Sequence, residues 1–111
     1  MQRFLLETGF GSDQYGRDYT KAAIRAVEDA IRRVSLPMFR SLGIETDEME
    51  VRVTIGVTAP DQVDTDRVAE HLPRGRVQVR AVQGGLDVAH PQGDVIVTAC
   101  AAVEAFLPKQ R

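Results

Sequence analysis

The sequence has no tryptophan, a single cysteine and no long apolar run, and each shortage excludes a class of protein. With Cys100 as its one thiol the chain forms no internal disulfide, so we expect a reducing, cytoplasmic location. No apolar segment approaches the roughly 20 residues of a membrane-spanning helix, and the polar start of the chain predicts no signal peptide. The formal net charge of −2 offers no basic surface for nucleic acid or for an anionic membrane.

Aromatic side chains are also scarce, and this shortage bears on assembly. They make up 5% of the 111 residues, whereas alanine and valine are abundant. A single domain of this length has room for only a small core, and small side chains bury little apolar surface. Self-association would bury more of it, so the composition favours a homo-oligomer.

The apolar residues that are present follow regular patterns, which predict one α/β domain over residues 1–111. Alternating or continuous apolar runs predict four strands, and apolar residues at 3.6-residue spacing predict two helices, in the order β-α-β-α-β-β. Pro37 is expected to break or kink the first helix, and Gly43 to end the turn that follows. In chain order the predicted elements are a strand at 3–8 ended by Gly9, a helix capped by Asp18 or Thr20 and reaching Val34, a strand at 50–58, a helix at 61–72 capped by Asp64 or Thr65, a strand at 76–82 and a strand at 94–107.

The connections predict how the strands are arranged. Helical crossovers between the first three strands make them run parallel, with right-handed connections. The last segment, DVIVTACAAVEAFL, is apolar almost throughout, as is typical of a strand covered on both faces. We therefore expect a mixed four-stranded sheet with the last strand central and antiparallel, and with helices on one face. The other face would carry Arg52, Thr54, Gln78 and Arg80 and would meet either water or a neighbouring copy.

The segment GFGSDQYGRDYTKAA, from Gly9 to Ala23, places three glycines between the first strand and the first helix. Two phosphate-binding patterns nearly match it, but the dinucleotide fingerprint lacks its third glycine, and Arg17-Asp18 stands where a P-loop has Lys-Ser/Thr. Asp13 and Asp18 would also oppose a phosphate at the helix N-terminus. A tight strand-to-helix turn is instead expected to explain at least one of Gly9, Gly11 and Gly16.

Polar side chains nevertheless gather near this turn, and in open α/β sheets ligands bind at the carboxyl ends of strands. Lys21 lies in the first helical turn, where a cation opposes the helix dipole, so helix stability does not explain its position. The connection over 84–93 is a second candidate because it is long for a hairpin loop, although a solvated side chain also explains His90. The candidate ligand-binding residues are Gly9, Gly11, Asp13, Tyr15, Gly16, Lys21, Arg25, Gly84, Gly85 and His90, with Lys21 and Asp13 as the candidate catalytic groups. Neither histidine has a metal-ligand spacing, and no metal or cofactor is expected.

The segment TGFGSDQYGRDYTKAAIRAVEDAIRRVSLP resembles the signature of the Lin0512 family, small bacterial and plant proteins of about this length that are catalogued as conserved hypothetical proteins. The family pattern runs from a strand through Gly-x-Gly-x-Asp-x-His-Gly and Thr-Lys-Ala-Ala into a helix that ends in Ser-Leu/Ile-Pro. Tyr15 stands at the family's histidine, and tyrosine is a poorer base than histidine at neutral pH. The later Gly84-Gly85-Leu86 and AAVEAF also fit. The matching residues of the segment are Gly9, Gly11, Asp13, Gly16, Thr20, Lys21, Ala22, Ala23, Arg25, Ala26, Ser35 and Pro37.

The element order is also similar to two known architectures, the trimeric Bacillus-type chorismate mutase fold and one of the three repeated domains of cyanuric acid hydrolases and barbiturases. Both resemblances imply sheets around a central barrel and ligands in clefts between domains or subunits. The Ser–Lys pairs of the ring-opening hydrolases are not matched here. Thr58 stands near the position of the lysine, and the segment 83–94 contains no serine.

The leading hypothesis is a homotrimer or higher ring that binds a small polar molecule at clefts between subunits. Each cleft would be lined by 9–18, Lys21, Arg25 and the 84–93 loop of a neighbour. An enzyme, either a ring-opening amidohydrolase or a chorismate mutase-like isomerase, is the alternative, and a scaffold without a small-molecule site is a third interpretation. Neither nucleic acid nor membrane is an expected partner.

Overall fold

The computed structural model describes residues 1–32, 48–72 and 75–108. Within these ranges two α-helices and five strands follow the order β1-α1-β2-α2-β3-β4-β5, with one 3₁₀ turn before α2. The predicted break at Pro37 and end at Gly43 lie outside the described residues. The bounds are β1 Gln2–Asp13, α1 Tyr19–Ile31, β2 Glu50–Val57, the 3₁₀ turn Pro60–Gln62, α2 Thr65–Ala69, β3 Arg76–Gln83, β4 Leu86–Ala89 and β5 Val95–Leu107.

The sheet confirms the mixed α/β prediction and adds one strand to it. Four strands lie side by side in the order β1-β5-β2-β3. β5 is antiparallel to both of its neighbours, and β2 and β3 run parallel. The added strand, β4, pairs with the start of β5, beyond Gly56, where the pairing of β2 with β5 ends. The last strand is therefore central and contacts three others.

β1 is longer than predicted, because the glycine segment continues the strand. The first strand was predicted to end at Gly9, but the pairing of β1 with β5 continues to Asp13. Neither Gly9 nor Gly11 has a positive φ, and the turn comes later, at Gly16 and Arg17 with φ of 94° and 50°. The turn predicted for at least one of the three glycines is thus found at Gly16, whereas Gly9 and Gly11 continue the strand.

Close packing explains the first two glycines. A Cβ on Gly9 would lie 2.5 Å from the backbone nitrogen of Ala30 in α1, and a Cβ on Gly11 would lie 2.5 Å from the backbone oxygen of Ala22. The helix therefore lies directly on the backbone of β1. The side chains between them are correspondingly small: Ala22, Ala26 and Ala30 of α1 are all fully buried.

The rest of the core follows the predicted alternation, with two corrections. The second helix was predicted over 61–72, but α2 covers Thr65–Ala69 and is capped by Asp64. It is shorter because Val63 is extended, with φ −90° and ψ 124°, and separates it from the 3₁₀ turn. The predicted 84–93 loop contains the four residues of β4. The inward residues of β2 are buried as predicted: Val51, Val53, Ile55 and Val57.

The sheet face opposite α1 is more exposed than the sequence suggested. We expected both faces of β5 to be covered, but only its alternate residues from Val97 to Ala105 are buried, and those between them are half-buried. Glu104 is one of these, and its pairing with Arg52 assigns the predicted polar side chains to the same face. We call this surface the open face.

None of the helices in the described ranges is long and apolar enough to cross a membrane.

Candidate functional site

The candidate residues meet at one edge of the sheet, where the parallel strands β1, β2 and β3 end at Asp13, Val57 and Gln83. The first turn of α1 and the hairpin of β4 and β5 lie at the same edge. Carboxyl ends of neighbouring parallel strands are the usual ligand-binding position in open α/β sheets. We call this region the strand-end site.

A buried carboxylate organises the site. Asp13 is 3% exposed, and its Oδ2 accepts a hydrogen bond from the backbone nitrogen of Asp18 at 3.0 Å. Its Oδ1 lies 3.9 Å from Nζ of Lys21 and 3.7 Å from Nη1 of Arg25. Asp13 thus joins the end of β1 to the cap of α1 and holds two cations beside it.

The two cations are bound to different extents. Arg25 also donates to the backbone oxygen of Ser12, so its guanidinium is fixed against the edge of β1. The distance from Lys21 to Asp13 is too long for a direct hydrogen bond, and about half of the Lys21 side chain is exposed. The three donors of this ammonium therefore remain available to water or a ligand.

The N-terminus of α1 is not a vacant anion site. Asp18 accepts from the backbone nitrogen of Lys21 at 3.0 Å, and Asp18 itself donates to Asp13. Carboxylates therefore occupy the position that a phosphate would need. This agrees with the sequence argument against a phosphate loop.

A second cluster fastens β4 to the site. Oδ2 of Asp87 accepts hydrogen bonds from the hydroxyls of Tyr19 and Thr58, each at 2.7 Å. The two hydroxyls are 3.2 Å apart. Gln83 donates to the backbone oxygen of Thr58 at 3.1 Å, so the ends of β2 and β3 are joined to the same group.

The two loops that were predicted to bind a ligand meet within a single chain. The rings of Tyr15 and His90 have centroids 6.2 Å apart and planes inclined by 44°. Pairing of β4 with β5 brings the 84–93 segment to this position. The 84–93 segment of the same chain therefore lies beside the turn before α1, and a contribution from a neighbouring copy stays a prediction.

The glycines of the site have separate roles. Gly85 has a φ of 66°, and a Cβ added to it would lie 3.0 Å from Cα of Val57. It therefore permits the tight connection from β3 to β4. The backbone nitrogen of Gly84 donates a hydrogen bond to the backbone oxygen of Val57 at 2.9 Å. Gly16, as noted, makes the turn before α1, and Gly9 and Gly11 lie under the helix rather than at the exposed surface.

Three groups of the site were missed by sequence reasoning: Tyr19, Thr58 and Asp87. Thr58 is the last residue of the strand predicted at 50–58, so its position at a strand end was a usable signal. Asp87 had no such signal, because the segment around it was interpreted as a loop. Among the described residues, no three His, Cys, Asp or Glu side chains are close enough to hold a metal ion.

Replacing Asp87 with alanine should loosen the hairpin selectively. The change removes both hydrogen bonds at Oδ2, and since Asp87 is exposed we expect a modest loss of about 1 kcal/mol in the free energy of unfolding. Hydrogen exchange should become faster at the amides of β4 while those of β3 are unaffected. Unchanged exchange in β4 would show that the Asp87 contacts do not hold the hairpin. Asp61→Ala, in the exposed 3₁₀ turn, is the control.

Comparison with known proteins identifies the family of this chain. The profile of the Lin0512 family, described as a conserved hypothetical protein, matches residues 3–105. The chain belongs to the Lin0512 family. A crystal structure described as an FtsZ-like protein of unknown function from Nostoc punctiforme PCC 73102 is 33% identical to this Lin0512 protein, with 97% of each chain covered and a TM-score of 0.86. No curated protein matches the chain.

Membership of the Lin0512 family confirms the resemblance carried by the glycine segment, and the matched range includes both the Asp13 and the Asp87 clusters. The fold resemblances to chorismate mutase and to the ring-opening hydrolases stay predictions.

Proposed function

We propose that this Lin0512 protein binds a small polar molecule with one anionic group at the strand-end site, and that it does so as a homo-oligomer, a trimer or higher ring. One observation carries the ligand proposal. The Lys21 ammonium is held near the buried carboxylate of Asp13 at 3.9 Å, beyond hydrogen-bond distance, with half of its side chain exposed. A cation placed in this way retains its donors for a ligand carboxylate.

The charge balance favours a ligand of low net charge. Three carboxylates and three cations belong to the site and its loops, so their formal charges cancel: Asp13, Asp18 and Asp87 against Arg17, Lys21 and Arg25. A dianionic phosphate would meet the carboxylates that already cap α1. A hydroxy acid or an amino acid, with one carboxylate and further donors or acceptors, fits this balance better.

Self-association is supported by the exposed surface as well as by the composition. The core consists mainly of alanine and valine, and large apolar side chains remain exposed on the open face. Subunits of a ring would place further groups near the strand-end site. The enzyme alternative keeps the same residues, with Lys21 and Asp13 as the candidate groups, and it is distinguished by whether a bound compound is consumed.

A thermal-shift screen tests the ligand proposal. Lactate, glycine and asparagine, each with one carboxylate, would be compared with the dianion succinate and with inorganic phosphate. A ligand present at 100 times its Kd stabilises the folded state by about 2.7 kcal/mol. We expect at least one carboxylate to raise Tm, and Lys21→Ala to weaken its binding by roughly 10- to 100-fold, because a charge-assisted hydrogen bond is lost.

Arg32→Ala is the matched control for Lys21→Ala. It removes an exposed cation from the other end of the same helix, where Arg32 pairs with Asp29 at 3.7 Å, and should leave ligand binding unchanged. The proposal fails if no carboxylate stabilises the protein, or if both alanine variants respond as the wild type does.

A further inference from the structure

The open face contains most of the large apolar side chains that the described residues leave exposed. Phe10 is 69% exposed and Leu86 is 60% exposed. Phe10 pairs with Cys100, and Leu86 pairs with Thr98 two positions earlier in β5, so both lie on the same side of the sheet. We call the set the apolar patch: Leu6, Phe10, Val82, Leu86 and Val88.

A charged groove lies beside the apolar patch. It has a volume of about 430 Å³ and is lined mainly by polar residues of β2, β3 and β5, with Arg52, Arg80 and Glu104 as its charges. Arg80 donates to the neutral hydroxyl of Thr54 at 3.3 Å, and no carboxylate among the described residues forms an ion pair with it. Glu104 is paired with Arg3 at 3.1 Å at the margin of the groove.

The other arginine of the groove is already satisfied. Arg52 contacts Glu50 at 3.0 Å and lies 4.3 Å above the ring of Phe106. The hydrogen bond from Arg52 lowers the pKa of the Glu50 carboxyl, so this pair stays charged at neutral pH. Arg80 is therefore the cation of the groove with capacity for an additional anionic partner.

We infer that the open face is the surface through which copies of this chain contact one another. The inference rests on the self-association proposed above and specifies its surface. The occupant is another copy rather than a foreign protein because the face is self-complementary: it presents an apolar patch, an arginine without an ion pair and a carboxylate together. Copies that meet through such a face can pair apolar with apolar groups and Arg80 with a carboxylate.

The size of the face is sufficient for a stable contact. Strands about 4.8 Å apart that rise about 3.3 Å per residue give the open face roughly 600–700 Å² of projected area. Specific protein interfaces bury roughly 600–1,000 Å² per partner, so the face lies at the lower end of this range. Exposed apolar patches larger than a few hundred Å² and rimmed by polar residues mark interaction surfaces in soluble proteins.

The outer edge of β1 is a poor alternative contact. Its outward backbone groups at the end nearest the site are bound by side chains of α1. The Phe10 nitrogen donates to Oδ2 of Asp29 at 3.0 Å, and the Ser12 oxygen accepts from Arg25. A strand from another copy could not pair there without breaking both bonds.

Sedimentation velocity of the full chain over a range of concentrations tests this inference. We expect the wild type to sediment as an assembly, and Phe10→Asp and Leu86→Asp each to weaken it by about 30-fold or more, as for buried apolar anchors of other interfaces. Gln62→Asp adds the same charge at an exposed site away from the open face and should assemble like the wild type. Both test positions are exposed in the single chain, so circular dichroism should show folded variants.

The possible results separate the two proposals. A wild-type assembly that survives both aspartate substitutions overturns the inference about the open face and leaves self-association standing. A wild-type chain that is monomeric at every concentration overturns both, while the ligand proposal is judged separately by thermal shift. Arg80→Glu is a further variant, expected to weaken the assembly, and an assembly unaffected by it would remove the groove from the interface.

Discussion

Gly11→Ala should destabilise the fold by about 3 kcal/mol or more and lower Tm by roughly 15 °C. A methyl group at this position would lie 2.5 Å from the backbone oxygen of Ala22 and 2.6 Å from the carbonyl carbon of Arg25. Backbone atoms cannot rotate away as a flexible side chain would, so α1 must move as a body. That movement would open the alanine-rich contact on which the core depends.

Gly93→Ala separates this clash from the general effect of replacing a glycine. Gly93 has a φ of 99°, and nothing lies within 4 Å of the added Cβ. The Gly93→Ala variant should therefore lose about 1–2 kcal/mol of unfolding free energy through its backbone conformation alone. Thermal and urea unfolding of both variants measure the difference. If Gly11→Ala is no less stable than Gly93→Ala, the close contact between α1 and β1 is not as described.

Asp13→Ala should cost about 2–3 kcal/mol of unfolding free energy. Its carboxylate is buried, and its removal leaves the backbone nitrogen of Asp18 without its acceptor and leaves Lys21 and Arg25 without the anion between them. Both cations are about half exposed, so water compensates part of the charge, and we attribute most of the loss to the hydrogen bond.

Asp13→Asn is the informative companion variant. The amide oxygen can still accept from Asp18, so the loss should be clearly smaller than for alanine. Asp18→Ala removes the helix cap and should cost about 1 kcal/mol. Urea unfolding ranks the free energies of unfolding of the three variants. If Asp13→Asn is as unstable as Asp13→Ala, charge rather than the hydrogen bond dominates at this position.

The sequence predicted four of the five strands and the first helix because their apolar periodicity is strong. β2 has four inward side chains in strict alternation, and β5 was correctly placed at the centre from its apolar composition. The roles of Gly9 and Gly11 were not predicted, since glycine occurs both in turns and at close contacts between backbones. Nothing in residues 9–11 alone reveals that a helix backbone lies above them.

The candidate site was predicted in part for a related reason. Lys21 and Arg25 lie about one helical turn apart in α1, and Asp13 ends β1 a short turn before that helix, so local geometry was enough to bring them together. Asp87 reaches Tyr19 and Thr58 only through the pairing of β4 with β5. A four-residue strand with every residue exposed has no buried face, and therefore no alternation that would predict it.

Amide chemical shifts offer the most direct measurement of the central claim, which is that the strand-end site binds a small carboxylate. The isotope-labelled protein would be titrated with lactate, glycine and asparagine in turn. We predict saturable shift changes concentrated in residues 13–25 and 86–90 for at least one of them, and their loss in Lys21→Ala. Changes centred on Arg52 and Arg80, or no saturable change with any of the three, would contradict the account.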